Sequence, residues 1–466
     1  MCRQDLEKRL LALEERVAEL LAENARLKER VRELEGERDA ARRAGKRQAA
    51  PFSKGEPVTE PRPPGRRPGK GYGRHARGDV PTKIDETRRV PLPEACPDCG
   101  GAFETTGTSA QTVIELPVVV PQVIRYEMAC GRCTGCGKAH QARHPDQTSS
   151  ATGAAGVQLG ARAVAAGAML HHERGLSWAK VATVAGSLFG IEATRAGWCR
   201  SAARVGEAAG PTYGALTEAL RGEPEVSMDE TGWRVAGCGA WLWAGVSTKT
   251  TIYRVGRSRG FDDAAAMLGA DYGGVLVRDG WAVYRRFVGA THQTCLAHLL
   301  RRCHEMEKDA PSEYLARVAR DVTRIFQEAL ELRGQIEHGT RSATESALER
   351  ESLGARLDAL CATTPRYAPN RRLLGHLGRE REAIFTFLEV VGTAATNWRA
   401  EQATGPAVVI RKVWGGHRTW AGARVGERLM SLIRTCRQRG CDPIAQMIVL
   451  QRATAPGALS LAVAPP

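Results

Sequence analysis

Val226-Ser-Met-Asp229-Glu-Thr-Gly-Trp-Arg-Val235 and Gly274-Val-Leu-Val-Arg-Asp279-Gly280 are the two stretches that decide how this chain folds. The first reads as an opening strand that carries Asp229. The second is a short apolar run suited to a central strand, with Asp279 where it ends. Between them, Trp241 to Val246 and Thr250 to Val255 read as second and third strands, parted by the turn chemistry of Ser247-Thr-Lys249, and a helix is expected near Asp262 to Leu268. Three antiparallel strands, a crossing helix and a fourth, parallel strand describe an RNase H-like mixed sheet. Its first and fourth strands are neighbours, which brings Asp229 and Asp279 together.

Two aspartates meeting at a sheet edge repel one another unless a cation lies between them. Phosphodiester chemistry uses such a trap. Two Mg²⁺ (or Mn²⁺) ions, about 3.5–4 Å apart and held by carboxylate oxygens, activate an oxygen nucleophile and stabilise the departing 3′ oxygen. A third carboxylate is expected from a later helix, and two candidates compete. Glu401 lies in Thr396-Asn-Trp-Arg-Ala-Glu401-Gln402, a helix-start pattern expected to end before Pro406, with Arg411 and Lys412 close behind as phosphate-binding candidates. Glu427 lies on a helix whose apolar stripe is Val425, Leu429, Leu432 and Cys436. There it shares a second stripe with Arg424, Ser431 and Arg434, and is expected to be a solvated surface charge. The residues by themselves favour Glu401 without closing the choice.

The 466 residues exceed one compact core, and a net charge of +15 points to a polyanionic partner. No apolar run spans a bilayer and the N-terminus is charged rather than signal-like, so a soluble cytoplasmic protein with no membrane partner is expected. The 13 cysteines, an odd number that includes two Cys-x-x-Cys pairs, suggest metal ligation with free thiols rather than a disulfide framework.

An α+β multidomain architecture follows. In 1–41, Leu10, Val17, Asn24 and Val31 alternate with Leu6, Leu13, Leu20, Leu27 and Leu34 at the a and d positions of a coiled coil, the pattern of a parallel homodimer. Segment 42–85 is a basic linker rich in Pro and Gly, where Arg66, Arg67 and Lys70 are DNA-binding candidates. In 86–150, Cys96-x-x-Cys99 and Cys133-x-x-Cys136 flank a strand-rich stretch (Val113 to Tyr126), the pattern of a zinc ribbon closed by four thiolates around a structural Zn²⁺. Cys130 and His140 are rival ligands. Segment 151–215 is helical, with a helix-turn-helix outline that opens its second helix at Thr194 and offers Arg195 and Arg200 to DNA. The catalytic sheet then occupies 216–300, an all-α insertion 301–395, and the completing helices 396–466.

Met228-Asp-Glu-Thr-Gly-Trp-Arg-Val235, Val277-Arg-Asp-Gly-Trp-Ala-Val-Tyr284, His292-Gln-Thr-Cys-Leu-Ala-His-Leu-Leu-Arg-Arg302 and Arg411-Lys-Val-Trp-Gly-Gly-His-Arg-Thr419 together resemble the insertion sequence 66 (TnpC-type) transposases. The resemblance extends over nearly the whole chain. It implies a DDE transposase of a bacterial insertion sequence, nucleoid-associated, acting on the terminal repeats of its element and on target DNA, with accessory proteins of the same element as further partners. It also implies that Asp229, Asp279 and Glu401 are the catalytic, metal-holding carboxylates, Glu401 being chosen through the Asn397-x-x-x-Glu401 pattern. The zinc ligands it implies are Cys96, Cys99, Cys133 and Cys136. Cys295-x-x-His298 matches a motif that follows the second Asp in several DDE families, which makes His298 an active-site support. Thr404-Gly405-Pro406 departs from the family, where an apolar residue and Arg precede the Pro, and it removes a phosphate contact beside Glu401. The alternative is a DNA-binding regulator with an inactive RNase H-like core.

Overall fold

The computed structural model describes residues 80–149, 158–455 and 457–461, with isolated positions 20, 23, 24, 26, 27 and 30. Those positions are helical, and Leu20 and Leu27 of the coiled-coil pattern expose 47% and 58% of their surface. The rest of that pattern, and the basic segment with Arg66, Arg67 and Lys70, lie outside the described residues. Two compact units divide the chain, 1–115 and 116–466. Among the described residues no helix is long and apolar enough to cross a membrane.

The second unit opens with a small hairpin, β1 (Cys130–Arg132) against β2 (Ala139–Gln141). The strands expected at 113–126 do not form. Val118 and Val123 are 92% and 88% exposed, so an apolar run that reads as strand has no core face to cover here. Three helices follow: α1 (Ala161–His172), α2 (Trp178–Phe189) and α3 (Arg195–Ala208). Ser177 caps α2, left-handed Gly190 ends it, and Thr194 caps α3 by accepting from the Gly197 N–H at 3.1 Å. The expected helix, turn and helix are therefore present. α3 buries Trp198, Ala202 and Val205, while Arg195 and Arg200 stay exposed on its other side.

After α4 (Gly210–Arg221) comes a five-stranded mixed sheet of β3 (Glu225–Val235), β4 (Cys238–Val246), β5 (Thr251–Gly256), β6 (Val275–Arg278) and β7 (Thr291–Thr294). The spatial order is β5-β4-β3-β6-β7. The first three strands pair antiparallel, and β6 and β7 add in parallel after the crossing helix α5 (Phe261–Leu268). The first and fourth strands are neighbours, as the sequence predicts. β7 was not anticipated, because Thr-His-Gln-Thr lacks a strand's apolar signature. Its buried Gln293 and Thr294 are held instead by hydrogen bonds, Gln293 to the Ile384 carbonyl and Phe387 N–H, and Thr294 to Glu380.

Period-two alternation assigns the two faces of the sheet. Val226, Met228, Trp243, Ile252 and Leu276 face a core with Leu216, Leu220, Met267 and Tyr284. Trp233, Leu242, Ala244, Tyr253 and Val255 face the opposite way, against α11 (Trp398–Trp414) and α12 (Trp420–Gln438). Between β7 and α11 lie α6 (Leu296–Asp309), α7 (Glu313–Glu337), α8 (Ala343–Cys361), α9 (Ala368–Glu380) and the short α10 (Thr386–Glu389), which build a core of their own around Leu299, Phe326, Leu353, Leu374 and Phe387. Glu380 fastens this helical body to the sheet, pairing with buried Arg278 at the end of β6 and with Arg285. α13 (Pro443–Arg452) closes the chain's fold against α1.

A histidine–tryptophan cluster joins α1, α2, β3 and α11. The His171 ring stacks on Trp178 at 4.0 Å and on Trp414 at 4.7 Å, while Trp233 donates its indole N–H to His417 Nδ1 at 2.9 Å. Burial pushes His171 and His417 down to about 4, and His172 well below its ordinary value. The unfolded chain thus takes up protons near pH 6.5 that the folded chain refuses. Stability should be full above about pH 6.5 and fall steadily toward about pH 4, read as denaturant midpoints across that range. A His171→Phe, His417→Gln variant should show a shallower slope; an unchanged slope would remove these imidazoles as its cause.

Candidate active site

β3 and β6 set the site by their register. Their parallel ladder runs as far as Ser227–Val277, with Asp229 two residues further along β3 and Asp279 just past the end of β6, near enough for the Asp279 charge to act on Asp229. Burial raises the Asp229 carboxyl above its ordinary value, and the Asp279 charge adds to this. The Thr404 hydroxyl, donating to Asp229 Oδ2 at 2.9 Å, and the His298 charge act in the opposite direction. Asp279 Oδ1 accepts from the Trp281 N–H at 2.8 Å, which fixes the turn leaving β6.

Glu401 sits in the first turn of α11, and Asn397 decides where that turn begins. Fully buried Asn397 donates through Nδ2 to the Met228 carbonyl at 2.8 Å, one residue before Asp229. Its backbone N–H donates to Cys295 Sγ at 3.1 Å, and its carbonyl accepts from the Glu401 N–H at 3.0 Å. One residue therefore ties α11 to β3 through its side chain and to the start of α6 through its backbone N–H. The four-residue step then places Glu401 one turn above the anchor, on the same helix face.

His298, in the first turn of α6, places Nδ1 3.5 Å from Glu401 Oε1. A hydrogen bond with Cys295 raises its pKa above the ordinary imidazole value; burial opposes this, and the Cys295, Glu401 and Asp279 charges reinforce it. Ligand-capable atoms of Cys295, His298 and Glu401 all lie within 4.8 Å of one another. His298 thus stands beside the Glu401 carboxylate.

The sequence model described as "Transposase IS66 family" matches residues 156–425, more than half of the chain. The chain belongs to the IS66 transposase family. It is also similar to the uncharacterized protein y4qI of Sinorhizobium fredii (strain NBRC 101917 / NGR234), at 26% identity, and the match covers 44% of this chain and 42% of that one. The chain therefore spans less than half the length of that relative. The family match takes in α1 to α11, and with them Asp229, Asp279, Glu401, Asn397 and Cys295-x-x-His298.

Other expected site residues in this IS66-family chain fall differently. Arg411 is half-buried and donates to the Gly232 carbonyl of β3. Burial lowers its pKa, and through Nη1 it braces the strand. Lys412 is exposed. Pro406 does not end the helix, since α11 runs through it to Trp414. Gly405 lies on the exposed side, where an added Cβ would meet nothing within 4 Å. Each cysteine knuckle forms a tight turn, Gly100 N–H bonding the Cys96 carbonyl at 2.8 Å and Gly137 N–H the Cys133 carbonyl at 2.9 Å. Backbone N–H groups inside the turns, those of Asp98 and Cys99 in one and of Cys136 and Gly135 in the other, lower the pKa of Cys96 and Cys133.

Glu427 needs a correction. It is 2% exposed, not solvated, and its carboxylate accepts from the Val255 N–H and from Arg424. Ser431 Oγ accepts from the Tyr253 N–H at 2.8 Å and Thr435 Oγ1 from the Thr251 N–H at 3.1 Å. Side chains four apart on α12 thus meet alternate N–H groups of edge strand β5, because four residues of helix and two of strand advance about 6–7 Å each. Glu427→Ala should therefore cost roughly 2–3 kcal/mol of unfolding free energy by leaving a buried N–H unpaired. Glu401→Ala, at a half-exposed position, should stay within about 0.5 kcal/mol. Urea midpoints of the full chain compare the two, and equal losses would refute the edge-capping role.

Proposed function

We propose that this chain is a DDE transposase with an RNase H-like core, which cuts DNA at the ends of its element and joins the freed 3′ ends to target DNA. What supports this reading is that neighbouring parallel strands β3 and β6 carry Asp229 and lead into Asp279, whose charge acts on Asp229, and that Asn397 at the start of the Glu401 helix bonds the residue before Asp229. Membership of the IS66 transposase family supports it.

The donor set fits hard cations. It consists of carboxylate oxygens, two of which repel across a strand pair, and Glu401 Oε1 is buried without a hydrogen-bond partner. Mg²⁺ or Mn²⁺ would be held by Asp229, Asp279 and Glu401; a bound pair of such ions supplies an activated oxygen nucleophile and stabilises the departing 3′ oxygen. The protein's own residues orient this set. Thr404 holds one rotamer of Asp229, Asn397 fixes the height of Glu401, and His298 stands next to Glu401. Exposed Arg195, Arg200 and Lys412 supply phosphate contacts on double-stranded DNA, joined by Arg66, Arg67 and Lys70. Cys96, Cys99, Cys133 and Cys136 hold a structural Zn²⁺, a role that the thiolate-favouring turns of the two knuckles support. The N-terminal coiled coil makes the protein a homodimer, so that two element ends are handled together. Accessory proteins of the same element complete the assembly.

Asp229→Asn should abolish Mg²⁺-dependent nicking of a terminal-repeat duplex while binding to that duplex is retained, read by gel-resolved cleavage beside a mobility-shift titration. Wild-type cleavage equal to that of the variant would take Asp229 out of the chemistry. Tight binding by the wild type, with no nicking under Mg²⁺ or Mn²⁺, would make the protein a DNA-binding regulator instead.

A further inference from the structure

Beside the carboxylate set lies a second group of different chemistry. Cys295, His298 and Glu401 offer one sulfur, one nitrogen and one oxygen, all within 4.8 Å of each other. His298 Nδ1 and Glu401 Oε1 stand 3.5 Å apart, and both are buried without a hydrogen-bond partner. Tetrahedral zinc with bonds of about 2.0–2.2 Å separates its nitrogen and oxygen ligands by about 3.3–3.5 Å. Cys295 is fully buried at the N-cap of α6, and its sulfur already accepts the Asn397 N–H at 3.1 Å. A mixed sulfur, nitrogen and oxygen set suits a borderline dication and is a poor match for Mg²⁺.

We propose that Cys295, His298 and Glu401 bind one dication of the Zn²⁺ or Co²⁺ class in a three-ligand site with an open fourth position, and that its occupancy withdraws Glu401 from the hard-cation set. Binding replaces the Cys295 thiol proton with a metal–sulfur bond and releases that proton to solvent. The binding claim stands on geometry alone; the competition claim rests on Glu401 being a catalytic carboxylate. Metal identity would then act as a switch, with Mg²⁺ supporting cleavage and Zn²⁺ suppressing it.

The test titrates Co²⁺ into metal-free full-length protein and compares wild type with Cys295→Ser and His298→Ala, all three keeping the knuckle cysteines. Each variant should bind one equivalent less and lose one site's share of the near-ultraviolet thiolate-to-cobalt absorption. Half-exposed His298→Ala decides the matter if Cys295→Ser does not fold. Equal stoichiometry in wild type and folded His298→Ala overturns the site. In a second arm, Zn²⁺ is titrated into Mg²⁺-supported nicking, each protein scaled to its own zinc-free rate. Half-inhibition should require at least about tenfold more Zn²⁺ in His298→Ala; identical inhibition curves overturn the competition. A wild type that binds the extra equivalent but never nicks DNA supports the site and counts against the transposase reading alone.

Discussion

The parallel pairing of β3 with β6 is the constraint on which the rest of the site depends. The ladder ends at Ser227–Val277, and just past it the chain carries Asp229 on β3 and Asp279 after β6, near enough for one charge to act on the other. Everything else at the site adapts to that juxtaposition of like charges. Burial raises the cost of ionising Asp229, and Thr404 lowers it. The adjacent Glu230 points to the opposite face, where Arg259 and Tyr284 bind it. Two neighbouring carboxylates in one strand thereby acquire different tasks from pleat parity alone. Glu230 is spent on structure, and Asp229 remains available to a ligand.

The helices fix what the sheet cannot. α11 must reach Asp229 at one height, and Asn397 sets that height by bonding the Met228 carbonyl. α12 solves a different problem, the unpaired N–H groups along β5. Glu427, Ser431 and Thr435 meet them at matching intervals, which closes the sheet edge against pairing with another chain. The inserted helices have an apolar core of their own, and they hold the sheet through the buried Arg278–Glu380 pair beside Asp279. That pair joins the far body of the molecule to the strand that carries a site residue.

Sequence legibility tracked the kind of signal each element carried. β3 to β6 and α5 were readable because their apolar and alternating runs match strand and helix periods. β7 was not, because Thr291 to Thr294 gains its place by side-chain hydrogen bonds that no periodicity announces. The apolar run at 113–126 carried a strand's composition and formed none. Pro406 was read as a helix stop, yet α11 continues, since its inner face of Ala400, Ala403, Ala407 and Ile410 is packed on both sides of the proline.

By itself the sequence determined the strand order, and with it the pairing of Asp229 and Asp279, because local runs of residues specify strands and a short crossover admits few topologies. It also determined the family, through motifs that stand in order along the chain. The family motif favours Glu401 over Glu427, and only the tertiary structure shows what each of the two meets. Glu401 and Glu427 both read as polar positions on helices. Glu427 is consumed by the Val255 N–H and Arg424, whereas Glu401 meets His298 and Cys295 from a helix that Asn397 anchors. A helical stripe shows which residues share a face; what that face meets is settled by packing between segments far apart in the chain.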